Sequence, residues 1–255
     1  MTYPGSDPPP SEPFKAAHDS LSVDPPRAVV LLSGGLDSST VLAIALSKGR
    51  EAYALTVDYG QRHRKEIDAA KRVVRHFRVK GHKVLKIDLT QIGGSALTDE
   101  RVAVPERRTA EEMGHGIPAT YVPARNTILL GLGLALSESI VADELYIAAN
   151  AIDSSGYPDC RPEFYEAFRE VARLGTKRGV EGRATQIHTP LIRMTKADIV
   201  RTGAKLGVPF ELTWSCYHGR ARACGVCDSC QLRLKGFREA GLEDPIPYER
   251  PPPKR

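Results

Sequence analysis

No stretch of this 255-residue chain is apolar for long enough to span a bilayer, and its start lacks the basic and apolar regions of a secretory signal. We therefore expect no membrane contact and a cytoplasmic location. Internal repeats are also missing, which sets aside solenoids and propellers. Cysteine is sparse: the sequence has five, and four fall between Cys216 and Cys230. In a reducing compartment such clustering favours a metal over disulfides. What remains is ordinary for a globular protein, 41% hydrophobic and 26% charged. That length buries one core plus a small appendage. A net charge of +5 at pH 7 permits an anionic partner without demanding nucleic acid.

Residues 1–26 are rich in proline and read as a disordered leader outside any core. Then the run from Ala28 to Leu32 reads as a buried parallel strand. Ser33-Gly34-Gly35 makes a tight turn whose N–H groups can approach a ligand closely. Asp37, Ser38 and Ser39 supply capping-type residues ahead of a helix from Val41 to Leu46, closed by Gly49. Strand, glycine turn and helix start together suit a phosphate. The lysine of a Walker A loop is missing, which disfavours a classical P-loop enzyme.

Further strands are expected at 52–57, 83–87, 144–148 and 186–189, with helices at 65–76, 128–136, 162–174 and from Thr195 to Gly203 or Gly207. The alternation predicts an α/β doubly wound parallel sheet. Gly131, Gly133 and Ala135 would let one helix lie close to it. Residues 93–120 lack periodicity and read as a lid or an open surface loop. Asp58 to His63 end a strand and face the ligand crevice.

Cys216, Cys224, Cys227 and Cys230 can surround one tetrahedral ion, with Gly225 easing the knuckle. All four positions are filled, which suits structural zinc; an iron–sulfur cluster is the alternative. We divide the chain into the leader (1–26), an α/β domain carrying the glycine turn (27–210), a four-cysteine helical region (211–243) and a tail (244–255).

Ser33 to Ser38 resembles the signature of the PP-loop ATP pyrophosphatases, with their adenine nucleotide alpha hydrolase-like fold. Asp58 to His63, Val122-Pro123 with Arg125-Asn126, Ser155 to Arg161, and Thr213 to Tyr217 with the cysteine cluster narrow this. In that order they resemble the 7-cyano-7-deazaguanine synthase family over about residues 27–240. Ala124 stands where glycine is expected, and His218 where asparagine is expected. The resemblance implies that 7-carboxy-7-deazaguanine, ammonia and ATP give the nitrile preQ0 through an adenylated acid and an amide, for queuosine- or archaeosine-type biosynthesis.

It also implies ATP binding by Leu32, Ser33, Gly34, Gly35, Leu36, Asp37, Ser38, Ser39, Thr40, Val41 and Leu42, with Mg²⁺ alongside. Asp37 is either a magnesium ligand or a helix cap. Ser33, Asp37, Lys196 and Arg125 are the expected catalytic residues. Lys196 would steady the departing pyrophosphate, and Arg125 would pair with a carboxylate or a phosphate, or else form a salt bridge. Tyr59, Gln61, Arg125, Asn126, Asp153, Gly156, Tyr157 and Asp159 are the expected substrate-binding residues. His63 is a candidate proton carrier. With the clustered cysteines committed, no glutaminase is visible and free ammonia is the expected nitrogen source. The family suggests a homodimer without direct nucleic-acid contact. Rival readings are a tRNA sulfur transferase using Cys160, an enzyme joining a deazaguanine to a protein, NAD or GMP synthetase, and a non-catalytic zinc module holding RNA through Arg220, Arg222, Arg233, Lys235 and Arg238.

Overall fold

The computed structural model describes residues 24–62, 64–150 and 156–249. Most of the leader, His63, Asp153 and the last six residues lie outside them. In chain order the elements are β1 (Arg27–Leu31), α1 (Leu36–Ser47), β2 (Glu51–Asp58), α2 (Lys65–Phe77) and β3 (Gly81–Lys86). Then come α3 (Ala110–Gly114), α4 (Arg125–Ser139), β4 (Glu144–Tyr146), α5 (Pro162–Gly175), α6 (Lys177–Val180), β5 (Gln186–His188), α7 (Lys196–Lys205) and α8 (Asp228–Ala240).

All four strand pairings are parallel, in the order β3-β2-β1-β4-β5. Alternate residues of β1 serve opposite faces. Ala28 and Val30 pack with Val41, Leu42, Ala70, Val73 and Ile199, from α1, α2 and α7. Val29 and Leu31 pack with Leu130, Leu134, Tyr165 and Phe168, from α4 and α5. Helices therefore cover both faces, as the alternation predicted. The chain winds outward through β2 and β3, then returns to the other side of β1, so the switch point lies between β1 and β4.

Several boundaries move. α1 begins at Leu36, so Asp37, Ser38 and Ser39 are inside its first turn rather than capping it. Gly35 holds the cap position with no side-chain bond. The Ser38 and Ser39 hydroxyls instead donate back to the Gly35 carbonyl at 3.2 and 2.8 Å. α4 begins at Arg125, three residues early, after Ala124 at φ 53°. That left-handed backbone explains why glycine is the easier residue there. Of the small residues on α4, Gly133 alone meets the sheet: a Cβ would lie 2.8 Å from Leu145. Gly131 has open space around it, and Ala135 is exposed.

The segment 93–120 is not an open loop. Leu97 accepts from the Arg62 N–H at 3.0 Å, and the Arg62 guanidinium grips the carbonyls of Glu100 and Val102. Arg107 N–H donates to Val226 at 2.8 Å, and Arg108 pairs with Asp228. The segment packs Ala96 and Val104 into a third core with Trp214 and the four clustered cysteines. Residues 244–249, expected in the tail, belong to that core as well. Ile246 and Tyr248 are buried, and Asp244 holds the Arg233 guanidinium through two bonds of 2.7 and 2.9 Å.

Candidate active site

A cavity of about 300 Å³ opens at the carboxyl ends of the strands, at the β1/β4 switch point where α/β sheets take their ligands. Its wall includes Ser33, Gly35, Leu36, Asp37 and Ser38 from the first turn and α1, and Ile147 and Ala148 beyond β4. Ser33 is exposed at the mouth, 3.0 Å from the Ser38 hydroxyl. Its own oxygen accepts the Gly35 N–H at 3.2 Å. Gly34 has φ +86°, and a Cβ there would lie 2.3 Å from the Glu66 carbonyl. The turn can therefore rest directly on α2, which no other residue would permit.

Leu32 also lines the cavity, whereas Ser39, Thr40, Val41 and Leu42 are buried in the body of α1 and do not. Thr40 bonds to the Leu36 carbonyl at 3.0 Å. The ATP set read from the signature thus divides, its first part at the cavity and its second in the core.

Lys196 reaches the glycine turn at residues 33–35 from the start of α7. Thr195 caps that helix in a reciprocal capping box with Asp198. The Lys196 ammonium lies 2.7 and 3.0 Å from the two Asp37 oxygens. It is not a solvated lysine: its side chain is only 13% exposed. Gly236 of α8 makes the room, since a Cβ there would fall 2.4 Å from Lys196 Cγ.

The opposite wall carries Tyr59, Gln61, Arg62, Glu66, Leu97, Arg125 and Asn126. Arg125 has no acidic salt-bridge partner among the described residues. Its guanidinium meets the Tyr59 hydroxyl at 3.3 Å and the Tyr59 ring at 5.8 Å. Gln61 accepts the Tyr59 N–H at 2.9 Å. Glu66, in the first turn of α2, was not among the residues read from the sequence. Burial lifts its carboxyl to about 7, against the pull of the Arg125 guanidinium and with added repulsion from the Cys216 sulfur. Burial likewise raises the Tyr59 and Tyr217 hydroxyls.

The described part of the 155–161 motif plays a different part. The Asp159 carboxylate accepts the Asn126 N–H at 3.1 Å, and the Asn126 amide returns a bond of 3.0 Å to the Asp159 carbonyl. This latch fixes the start of α4, and hence Arg125. Gly156 backs onto residue 116, where a Cβ would lie 2.5 Å from the carbonyl. The Tyr157 hydroxyl is 2.6 Å from that of Thr120. Gly156, Tyr157 and Asp159 do not line the cavity, so among the described residues they frame it rather than face it.

Cys160 adjoins the latch, where burial and the Asp159 carboxylate push its thiol up to about 12. A sulfur carrier needs the opposite shift, and Cys160 does not line the cavity either. Arg233 is equally unsuited to an RNA surface, since it is buried against Asp244, Thr213 and the Phe210 carbonyl.

The sulfurs of Cys216, Cys224, Cys227 and Cys230 lie within 4.8 Å of one another, and all four residues are buried. Such a set could hold a metal ion. The Cys216 sulfur accepts the Cys224 N–H, and the Cys224 sulfur accepts the N–H groups of Val226 and Cys227, at 3.3–3.4 Å. Bonds of that kind orient thiolate ligands. Gly225, at φ +76°, makes the turn. The cluster is tied to the glycine turn, because Trp214 N–H donates to the Gly34 carbonyl at 2.9 Å.

No helix among the described residues is long and apolar enough to cross a membrane. A solved structure, NMN synthetase from Francisella tularensis, shares 12% identity with the chain at a TM-score of 0.44, over 86% of this chain and 87% of that one. Sequence relatives are far nearer. A 7-cyano-7-deazaguanine synthase of Anaeromyxobacter dehalogenans is 56% identical over 223 residues, 87% of this chain and 95% of the relative. One of Thermoplasma volcanium is 56% identical over 230 residues, covering 89% and 93%. The family model for "Queuosine biosynthesis protein QueC" matches residues 27–241, and the chain belongs to that family.

Proposed function

We propose that the protein converts 7-carboxy-7-deazaguanine, ammonia and ATP into 7-cyano-7-deazaguanine. One observation carries the residue assignment. A single cavity joins a phosphate-type turn, with its Lys196–Asp37 pair, to a wall bearing an arginine without an acidic partner among the described residues. The family relationship supports the reaction.

A carboxylate resists attack by ammonia because its charge repels the nucleophile and oxide is a poor leaving group. Transfer to the α-phosphorus of ATP makes it an acyl adenylate and releases pyrophosphate. Ser33, Gly35 and Ser38 present N–H and hydroxyl groups to the phosphates at the N-terminus of α1. Lys196 neutralises the charge that gathers on departing pyrophosphate. Arg125 holds the substrate carboxylate across the cavity, as a planar fork suits. Tyr59, Gln61 and Asn126 complete that wall, and the Asn126–Asp159 latch keeps Arg125 in register. Ammonia then displaces AMP to give the amide. A second adenylation on the amide oxygen, followed by loss of AMP, gives the nitrile.

Asp37 is the cavity residue suited to holding Mg²⁺ with the phosphates, once Lys196 turns to pyrophosphate; such an ion adds positive charge there. Four buried thiols match structural zinc, which would brace the cysteine region against the phosphate turn. We propose a cytoplasmic location and a homodimer, the latter tested by light scattering. Purified protein with ATP, Mg²⁺, ammonium and the acid should yield the nitrile by mass spectrometry, with AMP alongside. Formation of ADP, or attachment of the deazaguanine to a protein, would overturn the reading.

A further inference from the structure

Ammonium carries protons that the nitrile nitrogen wholly lacks, so every N–H bond of the nitrogen donor breaks during the reaction. His63, the candidate proton carrier, lies outside the described residues, and no described residue assigned above accepts those protons. Among the described residues the cavity wall holds two carboxylates, Asp37 and Glu66. Asp37 is engaged at both oxygens by Lys196. The Glu66 side chain makes no hydrogen bond or ion pair with any described residue, yet Glu66 lines the same cavity as Arg125, the proposed anchor of the substrate acid. An unpaired carboxylate in a sheltered cavity is costly to keep, and it is a natural seat for a small cation.

The groups facing it come from three directions. Arg125 approaches from α4, Tyr59 from the end of β2 and the Cys216 sulfur from the knuckle. Neighbouring cations on its own segment are occupied. Lys65 turns over the Trp214 ring at 4.2 Å, and Arg62 grips carbonyls of the 93–120 segment.

We propose that Glu66 is the ammonium site and catalytic base of this centre. The inference rests on the amidation reading above. Its carboxylate binds ammonium, takes one proton and releases it to water. The freed lone pair forms the C–N bond as the acyl C–O bond breaks and its electron pair leaves with AMP; the proton shed by nitrogen passes through Glu66 to water. In the second stage an amide N–H proton goes to the same carboxylate. The amide oxygen meanwhile bonds to the α-phosphorus of a second ATP and pyrophosphate departs. The last N–H proton follows as the C–O bond to AMP breaks and C≡N forms.

The test uses Glu66→Gln, which keeps the shape of the side chain, and Glu66→Asp. Wild-type protein making nitrile from the acid is the control, and its failure would speak against the amidation reading alone. With acid and ATP but no ammonia, Glu66→Gln should still release pyrophosphate, which shows an intact fold and adenylation site. With ammonium its nitrile output should fall roughly 10²–10⁴-fold, the usual share of a general base. Glu66→Asp should recover part of that loss. Hydroxylamine, a neutral nucleophile near pH 7, needs no proton removed before attack. It should restore AMP release in Glu66→Gln, with the hydroxamate seen by mass spectrometry. Ammonium-dependent output within about threefold of wild type would overturn the proposal. So would loss of pyrophosphate release or of hydroxylamine capture together with ammonia use, since either marks a structural role.

Discussion

Lys196 and Asp37 stand 159 positions apart in the chain and 2.7 Å apart in the fold. At the residue scale this pair is the clearest feature of the site. It keeps a cation beside the phosphate turn without leaving a buried charge alone. Lys196→Ala is expected to lower pyrophosphate release roughly 10²–10³-fold, the typical effect of removing one group aimed at developing charge. A release assay on the acid and ATP checks it. Glu66 yields a prediction of another kind. Its carboxyl ordinarily titrates at 4.5 and is raised to about 7 in the fold. Between those values the folded state binds more proton than the unfolded one, so this group's contribution to stability falls as pH rises and levels off above 7. Glu66→Gln should therefore raise the melting temperature at pH 8 and leave it unchanged at pH 4, by thermal melts at both. Asp37 was legible as part of the glycine turn, and Lys196 through the family resemblance. Glu66 was not, because in one dimension it is merely an acid in the first turn of a helix, where acids are common. The same limit hid the latch that Asp159 makes, its carboxylate accepting the backbone N–H of a helix start 33 residues earlier.

Elements position these residues by close approach. α2 lies against the phosphate turn only because Gly34 has no side chain, and α8 lies against Lys196 only because of Gly236. Gly236 is in mid-helix, where glycine costs about 1 kcal/mol relative to alanine, so its presence there calls for a packing reason. Gly236→Ala is expected to gain helix propensity yet push the Lys196 stem aside. Pyrophosphate release should fall about tenfold or more, since small misplacements of catalytic groups are costly; kinetics read beside circular dichroism would show it. Strands were legible as short apolar runs wherever both faces are covered. β3 is less so because it is an edge strand with Lys83, Val84 and Lys86 exposed, and it begins two residues before its apolar core. Helix starts were misplaced where polar residues fill a first turn instead of capping it. The Ser38 and Ser39 hydroxyls turn back onto Gly35, which a serine at a cap position never does.

Across the whole molecule, the cysteine knuckle is not an appendage. Trp214 bonds to Gly34, the 93–120 segment bridges knuckle and cavity, and residues 244–249 close the third core. If the knuckle holds zinc and the turn holds ATP phosphates, as proposed, removing the metal should be felt at that turn. A strong chelator, with metal loss followed by elemental analysis, is expected to lower the melting temperature and weaken ATP binding together. Loss of metal with unchanged ATP affinity would show the two regions to be independent. The four-cysteine spacing was legible, but this coupling was not, because it runs through backbone bonds that leave no mark on residue type. The doubly wound plan, by contrast, follows from strand–helix alternation alone.

The central claim is that the acid is activated by adenylation. The most direct test supplies 7-carboxy-7-deazaguanine labelled with ¹⁸O in both carboxylate oxygens, together with ATP, Mg²⁺ and ammonium, and follows the label by mass spectrometry. The account predicts that both oxygens leave on AMP, one from the acid step and one from the amide step. Label appearing in inorganic phosphate with ADP, or in water with unlabelled AMP, would contradict it.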